Sequence, residues 1–462
     1  MSKEILSDLW NSIKTIKTKG SFTQNVSIVF SGNVLNFILQ LVFSPIISRI
    51  FTPEAYGEYA YYNLIITNII FFSSLSLSSV YVLPKFKLDF YALLKLVFIQ
   101  AVVASIIALA IFLIADGWLF NFEGSVLAIP LILTMIMLEV LNGGFSSFNI
   151  REKRFKRNTT SSLITNFISR VSTILIGLFA FANGIGLLLG DFVRSISLLF
   201  TQTSSKTKLI FLKYFFKPNI RHLKQVFFEN INVPKFIFPV QLLNKWAADL
   251  PLIAIGAFYS IETVGAYTFA VALLNIPGRL FESSLRPVFF QKANEVYLEN
   301  PSNLPSLFLK TFRISFFGSL IPTTGLSLLA PIIFPFVFGD EWQVAGYIAM
   351  LLGIKYVIIA VLSPYTGFWR IMKREKQLFK LNTLSLVFRL APLLLPLFDV
   401  GVYNFMILYA ILSSFGTLVN LTDLIWVLLK KNTAIKLLIG IVFTFAVCFS
   451  VIVLIAYSYH LL

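Results

Sequence analysis

Long apolar runs follow one another along almost the whole chain and decide what it can fold into. A helix needs about 20 apolar residues to cross the roughly 30 Å of hydrocarbon in a bilayer. Thirteen runs have that length, at 22–50, 55–82, 91–115, 125–149, 159–181, 184–202, 234–258, 263–290, 306–335, 342–369, 378–398, 402–429 and 436–459. Charged residues make up only 13% of the 462 residues. The sequence therefore predicts an all-α integral membrane protein with 12 to 14 spans, thirteen being the best count.

The distribution of basic residues predicts how these spans are oriented. If the N-terminus is inside, the cytoplasmic segments hold most of the 38 lysines and arginines, beginning with four lysines in residues 1–20. The outside loops around Ser260, Asp340 and Asp399 hold none. Such asymmetry fixes orientation under the positive-inside rule, so we expect a cytoplasmic N-terminus. It also accounts for most of the net charge of +17 without a nucleic-acid partner.

Little in the sequence is suited to enzymatic chemistry. The chain has one cysteine, Cys448, and two histidines, His222 and His460, which leaves no material for a metal site or a histidine-based triad. The longest stretch between spans, about 33 residues from Thr201 to Val233, is too short for a soluble catalytic domain. No GxxxxGK[ST] phosphate-binding loop is present. We therefore expect no enzymatic activity, no metal and no cofactor.

Two weak echoes indicate an internal duplication. Residues after the first and seventh spans match at an offset of 208, as Glu54 with Glu262, Gly57 with Gly265 and Tyr59 with Tyr267. The strings FKRNT and FKLNT enter the fifth and eleventh spans, and each span then carries one arginine, Arg170 or Arg389. Six spans in each half give both halves the same orientation. We predict an N-terminal six-helix lobe at 1–202, a linker at 203–233, a C-terminal six-helix lobe at 234–429 and an additional helix at 430–462.

Two shorter segments carry predictions of their own. The linker mixes lysines with Leu, Phe and Tyr, so it is either an amphipathic helix on the inner leaflet or a basic cytoplasmic connection. Gly186 and Gly190 form a GxxxG motif within the sixth span, which predicts close helix packing at that point.

Ionisable residues within the spans are the candidate functional groups, since each costs about 2.5 to 3.5 kcal/mol to insert. Helical spacing predicts local pairs of Asp191 with Arg194, Lys245 with Asp249, and Glu282 with Arg279 or Arg286. Arg170, Arg313, Lys355 and Arg389 have no acid at helical spacing. Together with Arg279 they predict a cationic cavity that binds phosphate or pyrophosphate, because guanidinium groups bind phosphate bidentately. Salt bridges between helices, with some of the long side chains snorkelling to the interface, are the alternative.

Polar side chains recur on the first two spans. Asn33, Asn36 and Gln40 are spaced i, i+3, i+7 on the first, and Asn63 and Asn68 lie on the second. These amides either line a path for sugar or hold helices together by hydrogen bonds.

Several sequence strings resemble one known family. They are FTPEAYGEYAYYN, VYVLPK, the stretch IGAFYSIETVGAYTFAVALLNIPGRLFESSLRPVFFQKA and FGDEW. The chain resembles, over nearly its whole length, the polysaccharide-type flippases of the MOP exporter superfamily, in particular the flippases for O-antigen and capsule repeat units. That resemblance implies a MATE-like fold with two six-helix bundles around a central cavity. Members usually have twelve helices and sometimes fourteen, so a count of thirteen departs from the family.

The resemblance also implies an activity and partners. An undecaprenyl-pyrophosphate-linked oligosaccharide would move from the inner to the outer leaflet of a bacterial inner membrane by alternating access. A gradient of H+ or Na+ acting through Glu139, Asp191, Asp249 or Asp423 is the expected energy source. We expect membrane lipids and the lipid-linked glycan as partners, the polymerase and glycosyltransferases of the same pathway as further ones, and a functional monomer.

Three other functions compete with this one. A flippase for the lipid-linked peptidoglycan precursor would bind the same phosphate anchor. A multidrug antiporter of the same superfamily would bind organic cations, so its cavity should be acidic. A glycan polymerase or ligase would need a large catalytic loop outside, whereas the outside loops here are mostly under ten residues.

Overall fold

All regular structure described for this chain is helical. The computed structural model describes residues 22–84, 86–114, 125–372, 374–459 and 461. Residues 1–20 with their four lysines, residues 115–124 and His460 lie outside the described residues. By their contacts the residues form two compact units. One holds the described residues as far as Phe51 together with Glu58–Gln241, and the other holds Thr52–Gly57 and the described residues from Leu242 onward.

The first unit is built from eight helices. Residues 53–57, at the start of the second of these helices, belong instead to the second unit. The bounds of the eight helices are α1 (Phe22–Ser48), α2 (Pro53–Ser74), α3 (Lys87–Ile114), α4 (Ser125–Arg151), α5 (Phe155–Phe179), α6 (Gly184–Gln202), α7 (Ser205–Phe215) and α8 (Ile220–Glu229). A fully buried apolar core joins α3, α4 and α6 through Leu93, Ile136 and Leu188. A π-helix, Val233–Ile237, follows α8.

The segment predicted as a linker folds into α7 and α8 and packs against α3. Ser204 caps α7 by accepting a hydrogen bond from Thr207 N at 3.2 Å, and Asn219 caps α8 in the same way. Such caps satisfy amides that a helix start leaves without a partner. Phe215 and Val226 are buried against the core of the first unit. The domain boundaries inferred from the sequence stay a prediction.

The close packing predicted for the GxxxG motif is confirmed. A Cβ placed on Gly190 of α6 would lie 1.9 Å from Thr173 Oγ1 of α5. A Cβ on Gly186 would lie 2.0 Å from the backbone oxygen of Phe181. Glycine at position 190 therefore lets α6 lie close to α5, and glycine at position 186 lets it pack against the turn that precedes it.

The second unit is organised around one buried helix. Its helices are α9 (Phe238–Phe258, from Leu242), α10 (Ile261–Leu274), α11 (Ile276–Glu299), α12 (Leu304–Phe338), α13 (Gln343–Leu362), α14 (Phe368–Ile371), α15 (Glu375–Leu390), α16 (Val402–Leu428) and α17 (Lys431–Ser458). A 3-10 segment, Ala391–Phe398, extends α15. The residues of α13 are mostly apolar and buried all around the helix, which is typical of a helix inside a bundle. The helices α10, α12 and α16 pack against it.

Each predicted span coincides with a helix or a pair of helices, and ten helices of the described chain are long and apolar enough to cross a membrane. The other three predicted spans are 55–82, 234–258 and 263–290. The last is two helices, α10 and α11, which meet at Asn275. Pro277 explains the break, because proline supplies no amide hydrogen to the helix ladder. The count of thirteen spans stays a prediction.

The two copies of the first sequence echo begin with the same local structure. Thr52 Oγ1 accepts a hydrogen bond from Ala55 N at 3.3 Å, and Ser260 Oγ accepts one from Thr263 N at 3.2 Å. Thr52 and Ser260 are 208 residues apart, as are the glycines of the two echoes. Equivalent capping residues at the starts of α2 and α10 agree with a duplicated sequence.

Candidate substrate-binding and coupling sites

The five cations predicted to bind phosphate have no carboxylate partner among the residues that the structure describes. The salt bridges found there join other residues. Arg170, Arg279, Arg313, Lys355 and Arg389 are therefore not neutralised by an acid within the described ranges.

Lys355 occupies the centre of a buried cluster in the second unit. It lies on α13 with 7% of its surface exposed, and its Nζ donates a hydrogen bond to Tyr409 Oη of α16 at 2.7 Å. The same Nζ lies 4.0 Å from the centroid of the Tyr409 ring and 5.2 Å from that of Tyr356. Tyr267 of α10 is buried in the same cluster, within electrostatic range of both tyrosines. Cation–π attraction partly replaces the water that the ammonium group has lost.

Arg389 brings a second positive charge to this cluster. It lies half-buried on α15, and its Nη2 donates a hydrogen bond to Thr417 Oγ1 of α16 at 3.3 Å. Its guanidinium lies within electrostatic range of the Lys355 ammonium group. Two neighbouring cations without a counter-ion repel each other, and a bound dianion would relieve that repulsion.

The remaining predicted phosphate ligands are less enclosed. Arg279 on α11 is exposed and lies within electrostatic range of Tyr356, so it borders the cluster. Arg313 lies on an exposed face of α12, and the described residues show no contact between it and the cluster. Arg170 lies half-buried on α5 in the first unit, within electrostatic range of Tyr59.

Two of the predicted coupling carboxylates share one arginine in the first unit. Glu139 Oε1 accepts hydrogen bonds from Arg194 Nη2 at 2.9 Å and from Ser195 Oγ at 2.5 Å. Arg194 Nε lies 3.5 Å from Asp191 Oδ1, which confirms the pair predicted from helical spacing. The hydroxyl of Tyr59 donates to the other oxygen of Asp191.

The other two carboxylates differ in what holds them. Asp249 Oδ2 lies 2.8 Å from Lys245 Nζ, so this predicted pair is also confirmed. Asp423 on α16 accepts hydrogen bonds from Trp369 Nε1, at 2.8 Å, and from the side-chain amide of Gln377. Neither donor is charged, and no described residue forms a salt bridge with Asp423.

A further local pair joins Glu282 and Arg286 at the surface of α11. Their Oε1 and Nη1 atoms lie 2.6 Å apart, so of the two arginines predicted to reach Glu282 it is Arg286 that does. Among the described residues no group of three or more His, Cys, Asp or Glu side chains is arranged to hold a metal ion.

The structure brings two of the five predicted sugar-path residues to one cavity. Asn33 and Asn36 line a cavity of the first unit, whereas Gln40, Asn63 and Asn68 do not. Asn63 is exposed, and Asn68 Nδ2 donates to the backbone oxygen of Leu64 in its own helix.

Sequence reasoning missed the partners of these residues. Asn166 Nδ2 donates to Asn36 Oδ1 at 2.8 Å, and Asn36 Nδ2 donates to Ser162 Oγ at 3.2 Å. Asn158, Ser162 and Asn166 are spaced i, i+4, i+8, a pattern that places them on one face of α5. The tyrosines around Lys355 carry no comparable spacing signal, because they come from three different helices.

Comparison with known proteins places the chain in a family. Residues 22–292 match the family whose members are described as polysaccharide biosynthesis proteins. The chain belongs to the polysaccharide biosynthesis protein family. The match covers more than half of the chain, including the whole of the first unit's described residues.

A curated relative of this polysaccharide biosynthesis protein is the succinoglycan biosynthesis transport protein ExoT of Rhizobium meliloti (strain 1021). The two are 22% identical over 374 residues, which are 77% of this chain and 69% of ExoT.

Among solved structures, the fold is similar to that of the lipid II flippase MurJ in an inward closed conformation. The TM-score is 0.66 at 14% identity, with 95% of this chain and 100% of MurJ covered. The Vibrio cholerae MATE transporter VcmN gives a TM-score of 0.55 at 14% identity, covering 88% and 96% of the two chains. The predicted multi-pass, all-α, MATE-like fold is thereby confirmed. The names of these relatives describe transporters and a flippase, which agrees with the prediction that the chain is not an enzyme.

Proposed function

We propose that this protein is a flippase for a lipid-linked oligosaccharide. Its substrate is an undecaprenyl-pyrophosphate-linked repeat unit for a surface polysaccharide such as O-antigen or capsule. The protein moves this lipid from the cytoplasmic to the outer leaflet of the bacterial inner membrane by alternating access, and its own N-terminus is cytoplasmic. The polymerase and glycosyltransferases of the pathway are its proposed partners.

One observation carries this proposal. Lys355 is buried among tyrosines and Arg389 lies half-buried within electrostatic range of it, and neither has a carboxylate partner among the described residues. An uncompensated pair of cations costs free energy in the absence of ligand, and a pyrophosphate offsets that cost on binding. An organic cation would be repelled by the same cluster, which speaks against the multidrug antiporter.

The remaining predicted site residues have roles within this proposal. Arg170, Arg279 and Arg313 are further ligands of the pyrophosphate. Asn33, Asn36, Gln40, Asn63 and Asn68 are the predicted path of the sugar. H+ or Na+ acts through Glu139, Asp191, Asp249 or Asp423 to drive the cycle.

Deletion of the gene in its native strain tests the substrate. Loss of surface polysaccharide with continued growth is the expected result, together with accumulation of the lipid-linked repeat unit in the inner leaflet. Lysis on deletion would instead identify the lipid-linked peptidoglycan precursor as the substrate. Increased drug susceptibility with normal surface polysaccharide would identify a multidrug antiporter.

A further inference from the structure

The first unit contains a cavity lined by several amide and hydroxyl side chains. It has a volume of about 440 Å³ and lies among α1, α4, α5 and α6. Its size falls within the range of about 300–1,000 Å³ that is typical of small-molecule sites. Most of the residues around it carry an amide or a hydroxyl, notably Asn33, Asn36, Asn158, Ser162, Asn166 and Gln202, while the larger part of the cavity surface itself is apolar. Ile150 and Phe155, on either side of the turn between α4 and α5, also line it.

One buried acceptor in this cavity lacks a partner. Gln202 is 5% exposed, and its Oε1 receives no hydrogen bond from any described residue. A buried acceptor without a donor costs about 1–3 kcal/mol. By contrast, Asn158 Nδ2 donates to the backbone oxygen of Ser146 at 2.9 Å, and Asn158 Oδ1 accepts from Asn149 at 2.8 Å. Gln202 is therefore suited to accept a hydrogen bond from a ligand.

The charge of the lining favours a neutral ligand. Among the described residues that line the cavity, Arg194 alone is charged. Its guanidinium is already bound by Glu139, at 2.9 Å, and by Asp191, at 3.5 Å. Neither a phosphate nor an organic cation therefore finds a free opposite charge here.

Phe155 adds an apolar surface to this neutral, amide-lined space. A pyranose ring combines the two properties that such a lining recognises. Its hydroxyls are hydrogen-bond donors and acceptors for amide side chains, and its C–H faces pack on aromatic rings.

We propose that this cavity binds a sugar residue of the transported glycan. Gln202 and Asn166 hydrogen-bond the sugar hydroxyls, and the ring packs on Phe155. This assignment rests on the proposed flippase function and adds a sugar subsite to it.

Binding measurements with two lipids separate the sugar subsite from the pyrophosphate site. The full-length protein in lipid nanodiscs is titrated with undecaprenyl pyrophosphate and with the undecaprenyl-pyrophosphate-linked oligosaccharide extracted from the native strain. Gln202→Met removes the acceptor at nearly constant volume, so its melting temperature should match or exceed that of the wild type. We expect it to bind the glycan-bearing lipid about five- to tenfold more weakly, the loss of one hydrogen bond, and to bind the bare lipid normally.

Three further variants serve as comparisons. Asn166→Leu should show the same selective loss, although it also breaks the bond to Asn36. Thr160→Val is the matched control, because Thr160 is exposed on the same helix and its hydroxyl bonds only to backbone oxygens of Lys156 and Arg157. Lys355→Gln should weaken binding of both lipids.

Each result decides one of the two proposals. If Gln202→Met and Asn166→Leu bind both lipids as the wild type does, the sugar subsite is wrong while the flippase proposal stands. Equal weakening of both lipids by Gln202→Met would also overturn the sugar assignment. If the wild type binds neither lipid, the proposed function itself fails, and the sugar subsite fails with it.

Discussion

Lys355 Nζ and Tyr409 Oη lie 2.7 Å apart in the second unit, and the same ammonium group lies 4.0 Å from the centre of the Tyr409 ring. One tyrosine thus supplies both a hydrogen-bond acceptor and a π-face to a buried cation. This arrangement holds the charge inside the bundle without neutralising it. A carboxylate in the place of Tyr409 would stabilise the lysine more strongly but would compete with an anionic substrate.

Replacing these two residues should separate stability from transport. Lys355→Met removes a buried charge, so we expect an unchanged or higher melting temperature together with loss of surface polysaccharide. Tyr409→Phe keeps the ring but removes the acceptor of the ammonium group, and should lower stability by about 1–3 kcal/mol. Thermal unfolding in detergent and quantification of surface polysaccharide in a complemented deletion strain measure the two effects. A Lys355→Met variant that is stable and fully active would contradict the assignment of Lys355.

The two arginines of the second echo provide a test of charge. Arg170→Ala and Arg389→Ala should abolish surface polysaccharide at normal protein levels, whereas Arg170→Lys and Arg389→Lys should retain part of it. Lysine keeps the positive charge but cannot form the paired hydrogen bonds of a guanidinium. Arg286→Ala is the control, because Arg286 is already bound to Glu282 at 2.6 Å and should be dispensable. Alanine variants with normal polysaccharide would remove these arginines from the site.

Contacts between residues close together in the sequence could be predicted, whereas contacts between distant residues could not. The pairs Asp191–Arg194 and Lys245–Asp249 lie within one turn of a helix, so spacing alone identified them. The bond from Arg194 to Glu139 joins residues 55 apart, and that from Lys355 to Tyr409 joins residues 54 apart. Contacts of that kind depend on which helices are neighbours.

The helices themselves were predictable because membrane thickness sets a minimum apolar length. The apolar composition of the run 263–290 does not show the break at Asn275, but Pro277 does, because a proline within a span removes a backbone hydrogen bond. Similarly, periodicity on the first span found Asn33 and Asn36, but their neighbours on α5 became evident only when the helices packed.

The glycines of the first echo offer a test of packing within the second unit. A Cβ on Gly265 would lie 1.7 Å from the backbone oxygen of Pro53, and backbone cannot turn aside as a side chain can. Gly265→Ala should therefore lower the free energy of unfolding by about 1–3 kcal/mol or more.

Gly325→Ala is the matched control, because nothing lies within 4 Å of a Cβ placed there on α12. It should leave the melting temperature unchanged or raise it slightly, since alanine favours a helix over glycine by about 1 kcal/mol. Equal melting temperatures for the two variants would disagree with the close approach at Gly265.

Of the candidate coupling carboxylates, Asp423 is the one whose charge should be removable with the least effect on the fold. Its oxygens accept from Trp369 and Gln377, which are neutral, so its negative charge is not bound to a cation among the described residues. An asparagine can still accept through its side-chain oxygen, and Asp423→Asn should therefore remain folded. If Asp423 carries the coupling ion, proteoliposomes containing this variant should flip the lipid-linked oligosaccharide at a rate that no longer responds to an imposed H+ or Na+ gradient.

Glu139→Gln is the comparison, because it weakens the salt bridge to Arg194 and should lower the melting temperature as well. A gradient response that survives in Asp423→Asn would leave Glu139, Asp191 and Asp249 as the coupling candidates.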